Sequence, residues 1–145
     1  MKNLALMYRM NGYDCGNCII KAADTKYSLG LSKELIRGVS AASGGFGCGG
    51  LCAACAAVVI LFSAIFDEEM AKRLRIEFMQ EFSYTFGTLN CCSINVSCED
   101  VISFCAETAD EMIRKNVRQL SLWGVWASGA AERRESSSAF RAEFS

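Results

Sequence analysis

Apolar residues recur along this chain at helical spacing, and no proline interrupts them, so glycines and capping residues mark where elements begin and end. The pattern predicts a first helix after Asn17, with Ile19, Ile20, Ala23 and Tyr27 inward, stopping at Gly30. Ser32 reads as the N-cap of a second, short helix that turns Leu35, Ile36 and Val39 to the core. Gly44 to Gly50 cannot be regular helix, because each interior glycine costs about 1 kcal/mol relative to alanine. It reads as a loop feeding the apolar helix Leu51 to Phe66. Asp67 then caps a helix with Glu68 and Glu69 in the first turn, where the dipole favours acids. That helix carries Met70, Leu74, Phe78, Phe82 and Phe86 on one stripe and ends at Gly87. Ser97, followed at capping-box spacing by Asp100, opens the last clear helix. Its inner face is Val101, Cys105, Ala109 and Met112, with Ile102 and Ile113 beside it. After Gln119 the pattern decays into two tryptophans and a polar ERRESSS run. The expected fold is all-α: a single helical bundle of four to five helices around the central apolar one. Residues 1–119 would form this domain, and 120–145 a C-terminal extension that is either a continuation of the helix or a loosely held tail.

Composition narrows the function classes. The chain has 145 residues, enough for one domain with a real core. Its net charge of -1 leaves no electrostatic footprint for nucleic acid. Lys72, Arg73 and Arg75 read as the solvated face of a helix. The uncharged run Gly44 to Phe66 invites a membrane reading, but glycines fill its start, and Leu51 to Phe66 falls short of the roughly 20 residues a bilayer core needs. A buried central helix is the better reading, with no transmembrane segment. The opening MKNLALMYRMNG lacks a long apolar region and a cleavage site, so a cytoplasmic location is expected.

Nine cysteines and no histidine give the chain its chemistry. In a reducing compartment such a count points to metal binding or redox work, and without histidine any metal site must rest on thiolates. Ser-His and Cys-His catalysis are excluded for the same reason. Several cysteines fall at expected helix starts: Cys18 after Asn17, Cys98 after Ser97, and Cys52 where the glycine loop enters its helix. Helix N-termini favour thiolate over thiol, so lowered pKa values are expected there. Cys105 lies inside an apolar stripe and reads as a core residue. Cys48 and Cys55 would share a face with Cys52 if that helix began early. Cys91 and Cys92 are adjacent and diverge, so one of the two is expected in a site. Cys15 and Cys18 form a CxxC, either a metal hook or a redox pair, without the βαβ context of a thioredoxin-like motif. The candidate set is therefore Cys18, Cys52, Cys91 and Cys98, as redox-active or ligand thiolates, with Cys15, Cys48 and Cys55 as additional ligands.

These residues resemble the family of redox-active bacterial proteins named for a C_GCAxxG_C_C cysteine pattern. The resemblance runs from residue 12 to 113: NC at Asn17 and Cys18, GGFGCGGLCAACAA from Gly44 to Ala57, FGTLNC from Phe86 to Cys91, and Cys98. Ala53 and Ala57 stand where the motif has glycine, and GYDC gives Cys15 a context close to that of Cys18. Cys48, Cys55, Cys92 and Cys105 are additional to the family set. The resemblance implies an all-helical domain, redox activity or metal binding, and genes lying near those of transporters.

Three functions stay open at this stage. The first is a redox or electron-transfer protein using an iron–sulfur cluster or a dithiol/disulfide couple. The second is a zinc or soft-metal binder associated with transport or sensing. The third is a structural helical domain with core cysteines. The expected partners are a redox protein or a transporter-associated protein, and a homodimer is the assembly to test. No substrate pocket is legible, so enzyme and carrier are not distinguished.

Overall fold

A computed structural model describes residues 1–122. It contains six helices: α1 (Lys2–Met10), α2 (Cys15–Tyr27), α3 (Lys33–Val39), α4 (Ala53–Ile65), α5 (Glu68–Phe86) and α6 (Cys98–Leu122). Among the described residues there is no strand, only an isolated antiparallel bridge between Leu51 and Asn90. The all-α expectation holds. The chain divides into two compact units at Asp110 and Glu111, and the first, Met1–Asp110, holds all nine cysteines. In the second, α6 continues to Leu122 with Ile113 and Asn116 buried and Asn116 Nδ2 donating to the Met112 carbonyl. The expectation of a loosely held extension falls, beyond Leu122, outside the described residues.

The central helix is where the apolar run placed it. In α4 the residues Ala53 to Val58, Leu61, Phe62 and Ile65 are buried. It packs chiefly against α2 and α5. Every described helix is too short or too polar to cross a membrane. Asp67 caps α5 by accepting from the Met70 N–H, and Gly87 ends it at a φ of 73°. The spacing-four stripe is inward: Leu74, Phe78 and Phe82 are buried, while Lys72, Arg73 and Arg75 on the opposite side are exposed. Phe104 of α6 joins that stripe, its ring centroid 6.4 Å from Phe78, 6.1 Å from Phe82 and 5.1 Å from Phe86. Each fully buried ring contributes about 1.5–3 kcal/mol through removal of apolar surface from water.

Two expectations at the N-terminal side are corrected. The chain opens with α1, which the sequence reading does not include because no capping side chain marks its start: its N-cap is Met1, and it is an amphipathic helix with Ala5 buried. It packs against α2, and ion pairs at the surface join it to α6: Lys2 with Glu107 at 2.9 Å and Arg9 with Glu99 at 3.2 Å. Asp110 accepts from the Met1 amine at 3.2 Å, from Lys26 at 2.6 Å and from the Tyr27 hydroxyl. Burial would raise that carboxyl, but these three bonds outweigh it and lower it to about 2. The second correction concerns α2, whose cap is Asp14 and not Asn17: the Asp14 carboxylate accepts from the Asn17 N–H at 3.0 Å. Asn17 is buried in the first turn, and its side-chain amide donates to Asp14 and to Ser40 Oγ. Ser32, by contrast, caps α3 as expected, accepting from the Leu35 N–H.

Candidate functional site

Three local devices bring cysteines from separate segments together. The first is Gly16. A Cβ there would stand 2.8 Å from Val39 Cγ1 and 3.3 Å from the Ala53 carbonyl oxygen. Only glycine lets the start of α2 close on the start of α4, and this sets Cys15 beside Cys52. The second is the join between the glycine turn and the FGTLNC segment. The Cys52 N–H donates to the Leu89 carbonyl at 2.9 Å and the Cys91 N–H to the Gly50 carbonyl at 2.7 Å, flanking the Leu51–Asn90 bridge. Cys91 is thereby carried to Cys52. The third is the ion pair of Arg9 with Glu99, which fixes the first turn of α6, where Cys98 is the opening residue and Ser97 Oγ accepts from the Asp100 N–H.

The glycine turn itself is built on backbone geometry. Gly45 has a φ of 63°, and a Cβ there would lie 2.5 Å from the Gly50 nitrogen, whose N–H donates to the Gly45 carbonyl at 2.9 Å. Phe46 takes a left-handed φ of 60°, which costs a side-chain-bearing residue roughly 1 kcal/mol, and leaves its ring exposed. The turn ends at Cys52, which caps α4. Regular helix starts at Ala53, so the early start that would align Cys48, Cys52 and Cys55 does not occur. Cys48 lies exposed on the turn, its sulfur 3.3 Å from the Gly45 carbonyl, and Cys55 is fully buried.

Electrostatics shows which thiols face one another. Cys15 is pushed up to about 12, first by burial and then by the charge and hydrogen bonding of Cys98, with Cys52 adding to the rise and Arg9 opposing it. Cys52 is raised by burial, against the N–H dipoles of Cys55 and Ala54, and feels both Cys91 and Cys98. Cys15 thus faces Cys98 and Cys52, and Cys52 faces Cys91 and Cys98. Cys18 is different. It is completely buried, its thiol lies 3.5 Å from the Tyr13 carbonyl, and its charged neighbours are Arg9, Asp14 and Glu99. Of the two cysteines in the CxxC, then, Cys15 stands against the others. The expectation that helix starts lower the thiols is overturned for Cys18 and Cys52: burial raises Cys18 to about 11 and also raises Cys52. Removal of a thiolate from water costs more than a few N–H dipoles return.

Behind this group lie Cys55, raised to about 12 by burial and Cys52, and Cys105, which burial holds well above the ordinary thiol value. Cys105 sits in the core, as its apolar stripe implied. Arg9 is the residue that the sequence pattern missed. Its guanidinium is the cation that opposes the rise of both Cys15 and Cys18, and its own pKa is raised, chiefly through the Glu99 hydrogen bond. The signal was a basic residue in the last turn of a helix that the apolar pattern did not reveal.

All nine cysteines are free thiols. Among the described residues no three Cys, Asp or Glu side chains converge closely enough to hold a metal ion. Comparison with curated proteins and with solved structures finds no match. Residues 13–115 do match a family model, one described as "Putative redox-active protein (C_GCAxxG_C_C)", and the span begins just before Asp14 and Cys15 and ends after Cys98 and Cys105. The chain belongs to the C_GCAxxG_C_C family.

Proposed function

We propose that this chain is a dithiol/disulfide redox protein in which Cys15 and Cys98 form the working pair and Cys52 and Cys91 a neighbouring pair that exchanges with it. The observation that carries this reading is the approach of Cys15, Cys52, Cys91 and Cys98 from three separated stretches of the chain, around residues 15, 52 and 91–98. Cys98 is exposed and Cys15 half-buried beside it, which is the asymmetry an attacking thiol and a sheltered resolving thiol require. In the reducing direction the Cys98 thiolate attacks a partner's disulfide, and the partner's first sulfur leaves as a thiol. Cys15 then attacks the mixed disulfide, the second sulfur leaves, and a Cys15–Cys98 bond remains. Two electrons pass to the partner, and the two thiol protons are balanced by those its sulfurs take up. Arg9 favours the thiolate form of Cys15 during this exchange.

An iron–sulfur cluster or a zinc ion would draw on the same four cysteines, but needs all four sulfurs at one locus. The arrangement supports thiols acting in pairs. A redox protein associated with a transporter is the partner this reading favours. Peptide mapping of the oxidised protein without reductant tests it, together with metal analysis of anaerobically purified protein. The expected result is a Cys15–Cys98 disulfide, lost in the C98S variant. A stoichiometric metal whose thiol ligands include Cys15 and Cys98 would sink the proposal, as would an unchanged free-thiol count after mild oxidation.

A further inference from the structure

Three thiols of this chain are exposed, and two of them, Cys48 and Cys92, lie outside the group just described. They meet the same peptide of the glycine turn. The Cys92 Cβ and sulfur lie 2.8 and 3.1 Å from the point where a Gly49 Cβ would stand, and the Cys48 sulfur lies 3.7 Å from the corresponding point on Gly50. Any side chain at Gly49, whose φ is 72°, would displace Cys92. Glycine is what lets Cys92 lie against the turn that carries Cys48. The two segments are clamped by the short bond from the Cys91 N–H to the Gly50 carbonyl, so both thiols border the Gly49–Gly50 peptide. Neither sulfur has a strong partner: Cys48 has the Gly45 carbonyl at 3.3 Å, and Cys92 has the Ser93 hydroxyl at 3.7 Å.

From this we infer that Cys48 and Cys92 form a second, outer thiol pair that reduces the disulfides of small peptide-like molecules and closes to a Cys48–Cys92 disulfide. The Phe46 ring, 56% exposed on the same turn, offers an apolar face to the organic part of such a molecule. The reaction balances. One of the two cysteines, as thiolate, attacks a sulfur of the substrate, whose S–S bond breaks and whose other half leaves and takes up a proton. The second cysteine attacks the resulting mixed disulfide, and the remaining half leaves as a thiol. The pair gives up two electrons and the substrate receives them. A disulfide needs Cα atoms within about 7 Å, and closing this pair requires the glycine-rich turn that carries Cys48 to adopt that separation from Cys92.

The test uses the full chain, reduced and anaerobic, with oxidised glutathione as probe and fragmentation mass spectrometry to locate the products. The expected result is a Cys48–Cys92 link and the loss of those two free thiols. In C48S a glutathione mixed disulfide should persist on Cys92, and in C92S one should persist on Cys48. The link should also form in a folded C52S/C98S variant, which separates this site from the inner one. If the link forms while Cys15 and Cys98 never pair, the proposed function falls and the outer site stands. Cys48 and Cys92 left unlinked in the wild-type chain, whether free or as separate mixed disulfides, would overturn the outer site, and so would a link lost from the double variant with its helix content intact.

Discussion

Two regions of this molecule are packed on opposite principles. Where α5 meets α6, the rings of Phe78, Phe82, Phe86 and Phe104 touch one another, with Phe62 of α4 6.1 Å from Phe78. Each ring has several others around it, so the arrangement is over-determined by shape. Where α2, α4 and the start of α6 meet, the residues are small: Gly16, Ala53, Ala54, Cys15, Cys52 and Cys55. Their positions depend on a few backbone bonds and on glycines that allow close approach. The aromatic region can hold a fold whatever its chemistry. The thiol region is also buried, at Cys52, Ala53, Ala54 and Cys55, but its close approach depends on glycine and on backbone bonds.

The comparison can be broken most forcefully at Phe78, which is fully buried and touches three other rings. Phe78→Ala should cost about 3–5 kcal/mol in denaturant-monitored stability, while leaving the order in which native thiols are alkylated unchanged. A loss under about 1 kcal/mol would show that the rings do not hold the fold. A smaller effect is expected at the other region from Gly45→Ala, since a left-handed φ and a 2.5 Å approach to Gly50 both oppose a side chain there. The cost should be about 1–3 kcal/mol, with faster alkylation of Cys52 and Cys91 as the signature that the turn has opened. Unaltered labelling rates at those two cysteines would detach the turn from the site.

The smallest effect is a pH dependence specific to the thiol region. Folding raises Cys15 and Cys55 to about 12 and Cys18 to about 11, against 9.0 for an ordinary thiol. Above pH 9.0 the unfolded chain loses these protons while the folded chain keeps them. Stability contributed by the buried thiols is therefore complete below pH 9.0 and declines as the pH rises through the folded values. Urea midpoints measured on either side of pH 9.0 should fall in the alkaline direction, and the fall should shrink in Cys55→Ala. A flat profile would mean that these thiols are no more sheltered than in the unfolded chain.

Much of the aromatic region was legible in the sequence. The stripe from Met70 to Phe86, the Asp67 cap and the Gly87 stop are local patterns, and each appears as read. The site was legible in part. Cys91 and Cys98 both lie near enough to Cys52 to raise it, and a turn and two helix starts mark these three residues in the sequence. Cys18 stands apart with the Tyr13 carbonyl, and Cys15 takes the place beside Cys98. That exchange turns on which residue caps α2, and Asp14 and Asn17 are both good caps by sequence.

What the sequence determined by itself is the set of helices with apolar stripes, their capping residues, and a thiol chemistry without histidine. These follow from periodicity and composition, which act over a few residues at a time. Tertiary structure decided the presence of α1, the choice of Cys15 over Cys18, the role of Arg9, and the sign of the thiol shifts. Each of those depends on burial or on a partner far along the chain, such as Glu99 for Arg9. Helix dipoles can be read from a sequence, but the water that a fold removes from a sulfur cannot, and here desolvation is the larger effect.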